Sequence, residues 1–517
     1  MSQGAPSPKR QAGTPDAFGA ASIKPALLHF LGGKTLSALA GLTVTVLAAR
    51  RLEPREYATY AVLLGAVYIL GCVTSLGLVE TMQRYLPALC IHRQRGLAMR
   101  TMRFILGLRL AVLFPAVAVL VLAAPALAAL WDLPDYAWAV QLAGPLFLAT
   151  TLMFFACQTM ETMMLQSQVK WLWVLVSSLR LGLVGWLAWR HGLDLHRIMV
   201  AETAAFGAGG VAGLAMLLAI SRPAATREAA PPQDLRRRMV SFAGLNYLMG
   251  LAAMFQSNAL SRLVAANILP AMALAEFGFV QALADTVNRY MPHTLLLNTL
   301  RPVLMASFAK SRDTVALNRH ANLFLKLNLF LLAPVVVLVG LCDGPLAGWI
   351  SNGRYPDQSW MLLGLTGLLV QQCHYRRLEL QAHAAERSGL LLASHLLVIA
   401  SLAPATLLAM QIGAWGLIAG VALGCLGRDA LLMSRLGRAG VPAGVDLPGL
   451  LRLAGSAGAA YLLLLPVVPK NPGPLAIAGL GLAGGVLFLA VALVLRPFSP
   501  RERDLLNSLL GRRLFPW

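Results

Sequence analysis

The residues best placed to do chemistry in this chain are cations inside apolar segments. Lys34, Arg180, Lys326 and Arg428 stand within long apolar runs, and Arg109, Arg262 and Arg289 stand nearer the ends of such runs. A charge at mid-membrane depth costs about 2.5–3.5 kcal/mol on insertion scales, so each needs a partner or a task. One solution is a carboxylate of the same bundle: Glu161 or Glu202 for Arg180, and the adjacent Asp429 for Arg428. The other is an anionic cargo, which the depth of Lys34 and Arg180 in the first half favours. A series of amides, Asn246, Gln256, Asn258 and Asn288, decorates two consecutive apolar segments. Helices facing only lipid would not carry it, so these two are expected to line water or sugar.

Other chemistries fit less well. LGGKTLS (31–37) contains Gly-Lys-Thr, the tail of a phosphate-binding loop, but Leu28 stands where that loop requires its first Gly. The segment also lies in an apolar helix rather than after a strand, so nucleotide hydrolysis is not expected. His191, Asp194 and His196 share a short loop without a third or fourth ligand of suitable geometry, so no metal is assigned. The six cysteines show no CxxC or paired spacing and read as small apolar fillers. No Ser-His-Asp set or pair of loop carboxylates suggests an enzyme. A membrane glycan polymerase would show a large external loop, which this chain lacks. No catalytic residue and no cofactor are assigned.

The elements that must position these residues follow from composition. The chain has 517 residues, 58% hydrophobic and only 13% charged, with mean hydropathy +0.67. A soluble domain carries about 25% charged residues, and a spanning helix needs about 20 mostly apolar ones. Long unbroken apolar runs exclude a β-barrel, whose strands alternate over about 10 residues. The fold class is therefore an all-α polytopic membrane protein. Fourteen spans are read, at 26–49, 57–80, 104–128, 138–160, 171–189, 198–220, 240–260, 268–291, 322–342, 360–375, 388–410, 415–434, 451–468 and 475–495. The tenth is the weakest, because it runs into QQCHYRRLELQAH. The net charge of +21 is gathered in short stretches between apolar runs, which argues for the positive-inside rule and against nucleic acid. The tails and even-numbered loops hold most of the Lys and Arg, which places both termini in the cytoplasm, with the bacterial inner membrane as the expected location.

The expected organisation is a disordered cytoplasmic tail (1–25), a six-helix bundle (26–220), a Pro-rich basic linker (221–239), a second six-helix bundle (240–434), two further helices (451–495) and a cytoplasmic amphipathic tail (496–517). In that tail Ser499 and Glu502 have capping-box spacing, and the helix is expected to lie on the inner membrane surface. Two octamers support the halves. ETMQRYLP (80–87) and DTVNRYMP (285–292) share Thr, Arg, Tyr and Pro at the same places and close the second and eighth spans in this reading. Each half has an even number of spans, so the repeat is parallel. Glu80 and Arg84, like Asp285 and Arg289, are four apart with acid first, the favourable order for a helical ion pair. Such residues serve either as helix-end anchors or as cations at the cytoplasmic mouth.

RRLEPREYATYAVLLGAVYILGCVTSLGLVETMQRYLP (50–87) resembles the opening of the polysaccharide flippases of the multidrug/oligosaccharidyl-lipid/polysaccharide exporter superfamily. Arg50, Leu52, Pro54, Glu56, Tyr57 and Tyr60 match the start of the family's second helix. Leu76, Gly77 and Leu78 match its Leu-Gly-Leu, and Arg84, Tyr85 and Pro87 its Arg-Tyr-x-Pro. Ala58 replaces the family Gly. The resemblance implies two six-helix bundles around a central cavity and alternating access. The cargo it implies is a polyprenyl-pyrophosphate-linked oligosaccharide moved to the outer leaflet for an O-antigen, capsule or exopolysaccharide. Lys34, Arg180 and Lys326 would then hold the diphosphate, with Arg84 and Arg289 at the mouth. Partners would be that lipid-linked oligosaccharide, membrane lipids, a polysaccharide polymerase and export machinery. Without a nucleotide site, the membrane potential or an ion gradient is the expected drive, with the coupling ion left open. A cation-coupled multidrug exporter of the same fold and a peptidoglycan-precursor flippase are the alternatives. The exporter would want deep acids, and those present (Glu80, Glu161, Glu202, Glu276, Asp285, Asp429) are few and several have a base nearby.

Overall fold

A computed structural model describes residues 37, 39–91, 95–220, 233–255, 257–295, 313–355, 360–385 and 387–510. Lys34, Gln256, the tail 1–25 and residues 221–232 of the expected linker lie outside them, while 233–239 of that linker already belong to a helix. The described residues are helical and include no strand. Inside a membrane this is forced, because only a helix or a closed barrel satisfies its own backbone hydrogen bonds. The chain divides into two compact units, residues 1–267 and 268–517.

The first unit contains α1 (39–51), α2 (Pro54–Val73), α3 (Leu78–Ile91), α4 (Arg95–Leu122), α5 (Ala124–Leu130), α6 (Ala137–Thr162), α7 (Gln166–Arg190), α8 (Leu195–Ile220), α9 (Gln233–Met254) and α10 (Asn258–Ala266). The second contains α11 (Ala271–Arg289), α12 (Pro292–Leu295), α13 (Thr314–Ser351), α14 (Met361–Ala384), α15 (Ser388–Ile412), α16 (Ala414–Arg438), α17 (Leu447–Leu464), α18 (Pro474–Leu495) and α19 (Pro500–Leu510).

Among the described residues, helix is found in each of the fourteen expected spans. Among the described residues ten helices are long and apolar enough to cross a membrane, or eleven if the bent pair α9 and α10 is one span. The chain is a multi-pass membrane protein. The other expected spans fall short for physical reasons. The first is only partly described, and α11 and α14 carry too many polar residues along otherwise regular helices.

Two breaks depart from the simple span pattern. The second span ends at Val73, where Leu76 (φ 50°) and Gly77 (φ 64°) turn the chain by the left-handed region before α3 begins. Gly is the residue that adopts this conformation without a steric cost, and a Cβ at Gly77 would also strike the backbone of Ala243 on α9. The freed carbonyl of Thr74 accepts the buried Arg109 guanidinium, a cation at a helix C-terminus. ETMQRYLP therefore lies within α3, downstream of a break, and does not close α2. DTVNRYMP instead ends α11 and runs into the break before α12. The two octamers flank helix breaks on opposite sides.

Close helix packing rests on small residues, as expected where lipid removes the hydrophobic drive for association. In the α15–α16 hairpin, Gly416, Gly420 and Gly424 recur every four residues and face Leu408 and Ala409, Ala405, and Ser401 in turn. A Cβ at any of the three would overlap the opposing helix. Phe330 of α13 packs on Phe488 of α18 and on Phe498, with ring centroids 5.2 and 5.5 Å apart.

Candidate functional site

In the first unit the residues of PREYATY (54–60) knit helix ends to a buried ion pair. Arg55 donates to Asp135 at 2.9 Å and lies over the Tyr136 ring. Glu56 accepts from the backbone N–H of Glu53 at 3.2 Å and of Leu195, at the start of α8, at 3.4 Å. One turn on, the buried Tyr60 hydroxyl donates to Glu202 Oε1 at 3.0 Å. Arg180 of α7 reaches the same oxygen through Nε at 2.7 Å and Nη2 at 2.6 Å. Of the two carboxylates the sequence offers Arg180, the geometry selects Glu202. Glu202 is 1% exposed and Arg180 17%, and the guanidinium lies 5.7 Å from the Phe206 ring centroid. Two ions can share an apolar bundle at this depth because they neutralise each other and the phenol satisfies a further lone pair.

The other first-unit candidates sit apart from this triad. Arg84 is exposed and stacks over Phe242 of α9 at 4.5 Å, with Tyr85 edge-on to the same ring. Glu80 is exposed. Asn246 donates to the carbonyl of Phe242 within its own helix at 2.8 Å, and Asn258 opens α10, which Ser257 caps. In the loop 191–196, Asp194 caps α8 through the N–H of Arg197, and the His196 ring lies 5.8 Å from that of Trp138.

The second unit holds a polar ladder. Asn318, Asn322 and Lys326 recur every four residues on α13, so they stack on one face. Each rung meets α14, the segment 442–446 or the C-terminal segment. Asn318 accepts from Gln381 at 2.8 Å, and Gln381 also donates to the carbonyl of Pro442 at 3.0 Å. Asn322 accepts from Arg377 at 2.8 Å and donates to Gly444 O at 3.0 Å, while Arg377 also donates to the carbonyls of Ala443 and Gly444. Lys326, 1% exposed, donates to Asp446 at 2.7 Å, Glu502 at 2.5 Å and Pro497 O at 3.3 Å. Three successive carbonyls between α16 and α17 thus receive side-chain donors in place of a regular ladder. Asp446, outside the spans, would have its carboxyl raised by burial. The hydrogen bond and charge of Lys326, with the Gly449 N–H and Arg452, outweigh that and hold it below the usual carboxylate range.

Two smaller clusters complete the unit. Asp429 accepts from Arg428 at 3.0 Å and Gln371 at 2.7 Å and meets His374 at 3.1 Å; Arg428 lies 3.5 Å over the Tyr375 ring. The pairing of Arg428 with its neighbour is the one the sequence offered. His293 bridges Asn288 and Asn328 through its two ring nitrogens, at 2.9 and 3.0 Å. Asp285 is half-buried on α11, and Arg289 is exposed at its end. Among the described cations proposed from sequence, Arg180 is paired within the first unit, Lys326 and Arg428 belong to separate networks within the second, and Arg84 and Arg289 are exposed. The reading of α14 as a weak span missed Arg377 and Gln381. The signal for them was the Asn-x3-Asn-x3-Lys spacing on α13 facing a helix rich in paired polar residues.

No protein-family model matches the chain, and no curated protein matches it in sequence. Solved structures match its fold. The lipid II flippase MurJ in an inward closed conformation is 11% identical, with TM-score 0.66, over 92% of this chain and 99% of that chain. An inward-facing multidrug resistance MATE family transporter of the MOP superfamily is 13% identical, with TM-score 0.58, over 78% of this chain and 95% of that one. At these identities the likeness is one of architecture, and the chain has the fold that these membrane transporters share.

Proposed function

We propose that this protein moves a polyprenyl-pyrophosphate-linked oligosaccharide repeat unit from the inner to the outer leaflet by alternating access, for surface polysaccharide synthesis. The observation that carries this reading is the match in fold to a lipid flippase over 92% of this chain and 99% of that chain. The deep cations favour an anionic head group over a cationic drug. Arg180 is the residue we assign to the diphosphate, because a guanidinium retains donors beyond the two given to Glu202 and binds phosphate in a fork. Lys34 is retained as a second contact, and Arg84 and Arg289 as contacts at the cytoplasmic mouth. Lys326 already has two carboxylates, so a diphosphate there would compete with them. Both termini are assigned to the cytoplasm of a bacterial inner membrane, with a polymerase and export machinery downstream. An ion gradient or the membrane potential, worth about 2.3 kcal/mol per charge at 100 mV, supplies the bias.

The test is a deletion strain. Loss of a surface polysaccharide, with lipid-linked repeat units trapped on the inner leaflet, supports the assignment. Loss of drug resistance alone selects the exporter, and arrest of cell-wall growth selects the peptidoglycan-precursor flippase. In vesicles carrying the purified protein, Arg180→Lys should keep partial translocation of a lipid-linked oligosaccharide and Arg180→Gln little, at equal protein level.

A further inference from the structure

The C-terminal helix is keyed into the second unit. Phe498, 1% exposed, packs on Phe330, and Leu506, 5% exposed, joins the apolar cluster of α13, α17 and α18. Between them Glu502, 6% exposed, reaches Lys326 at 2.5 Å. The same carboxylate oxygen accepts the Ser499 N–H at 2.7 Å, and Ser499 Oγ accepts from Glu502 N at 3.4 Å, so the expected capping box is formed. One carboxylate thus starts the helix and docks it. Placing it on Lys326 brings the start of α17, the end of α18 and the first half of α13 to one point, since Asp446 caps α17 and Pro497 follows α18. Gly449 leaves room for this, because a Cβ there would come within 3.0 Å of Lys326 Nζ.

We propose that residues 496–510 are a latch closed by Glu502 on Lys326, which opens without unfolding the unit. The distinguishing feature is the second carboxylate. A buried lysine with a single partner would be stranded when that partner left, and the contact would be a permanent pillar. Here Asp446 stays at 2.7 Å, so Lys326 remains paired with the latch open. Glu502, once released, keeps its Ser499 contact, so α19 stays helical while undocked. Opening withdraws Phe498 and Leu506 from the cluster and leaves α17 and α18 held to α13 by Asp446 and by their own apolar faces. The latch is independent of the cargo.

Hydrogen exchange on the full-length protein tests this. In Glu502→Gln, amides of 500–507 should exchange at least ten-fold faster than in wild type, with α13, α17 and α18 unchanged. In Asp446→Asn, where Glu502 is the one carboxylate left to Lys326, exchange over 500–507 should be unchanged or slower. Unchanged exchange in Glu502→Gln overturns the latch. So does an increase that spreads equally through α13, which would make the contact a pillar.

Discussion

Tyr60 of α2 and Glu202 of α8 meet at 3.0 Å across 142 residues of sequence. The oxygen they share is the one that holds Arg180. A phenol on one helix thus orients the carboxylate that neutralises a buried cation on another.

Removing that phenol should be mild. Tyr60→Phe deletes one hydrogen bond of a satisfied network and should cost about 1 kcal/mol of stability. Glu202→Ala strands the guanidinium and should cost about 3–5 kcal/mol. The double variant Arg180→Ala with Glu202→Ala should recover part of that loss. Thermal unfolding in detergent measures all three, and strict additivity of the single losses would refute the coupling.

The rung formed by Arg377 should resist even conservative change. Its Ala substitution leaves the carbonyls of Ala443 and Gly444 without a donor from α14, at about 1–3 kcal/mol for each such group that water cannot reach. Exchange of the 441–447 amides should rise while that of α15 stays constant.

Acid should act on Asp446 in one direction. Its folded value lies below the usual carboxylate range, so its stabilising contribution is complete above the ordinary aspartate value, about 3.9, and is lost as pH falls through the lower folded value. Asp446→Asn should therefore melt below wild type at pH 7 and at pH 5 by the same margin. The gap should close in stronger acid. A margin that already shrinks between pH 7 and 5 would contradict the Lys326 contact.

Gly420 should tolerate nothing larger than hydrogen. Its Cβ would overlap the backbone of Ala405, and overpacking of this kind costs about 1–3 kcal/mol. Gly420→Leu should split the α15–α16 hairpin, read as a lowered melting temperature, while Gly437→Ala, with open space around it, should be silent.

The helices were legible because long apolar runs have one solution in lipid, and every expected span contains helix. The breaks were harder. Leu-Gly-Leu at 76–78 looked like part of a continuous span, since nothing in an apolar string marks a left-handed Gly except the neighbour that crowds it. Arg180 was visible as a buried cation, and its partner was one of two offered by position. Lys326 was visible too, but Asp446 and Glu502 were not, because 120 and 176 residues separate them from it and each reads locally as a helix cap. Arg377 and Gln381 were hidden by their own polarity, which made α14 look like a failing span rather than a helix gripping a connector.

The rungs at 318, 322 and 326 also limit how the gene can change in length. One residue inserted among them would rotate all later positions on α13 by about 100° and detach Lys326 from both carboxylates at once. A residue added to the turn at 468–473, where Lys470 and Asn471 are exposed, would disturb no rung. Insertions should therefore leave folded protein at the hairpin tip and abolish it between positions 318 and 326 of α13, a contrast that a scan of single-codon insertions, read as the level of folded protein, would display directly.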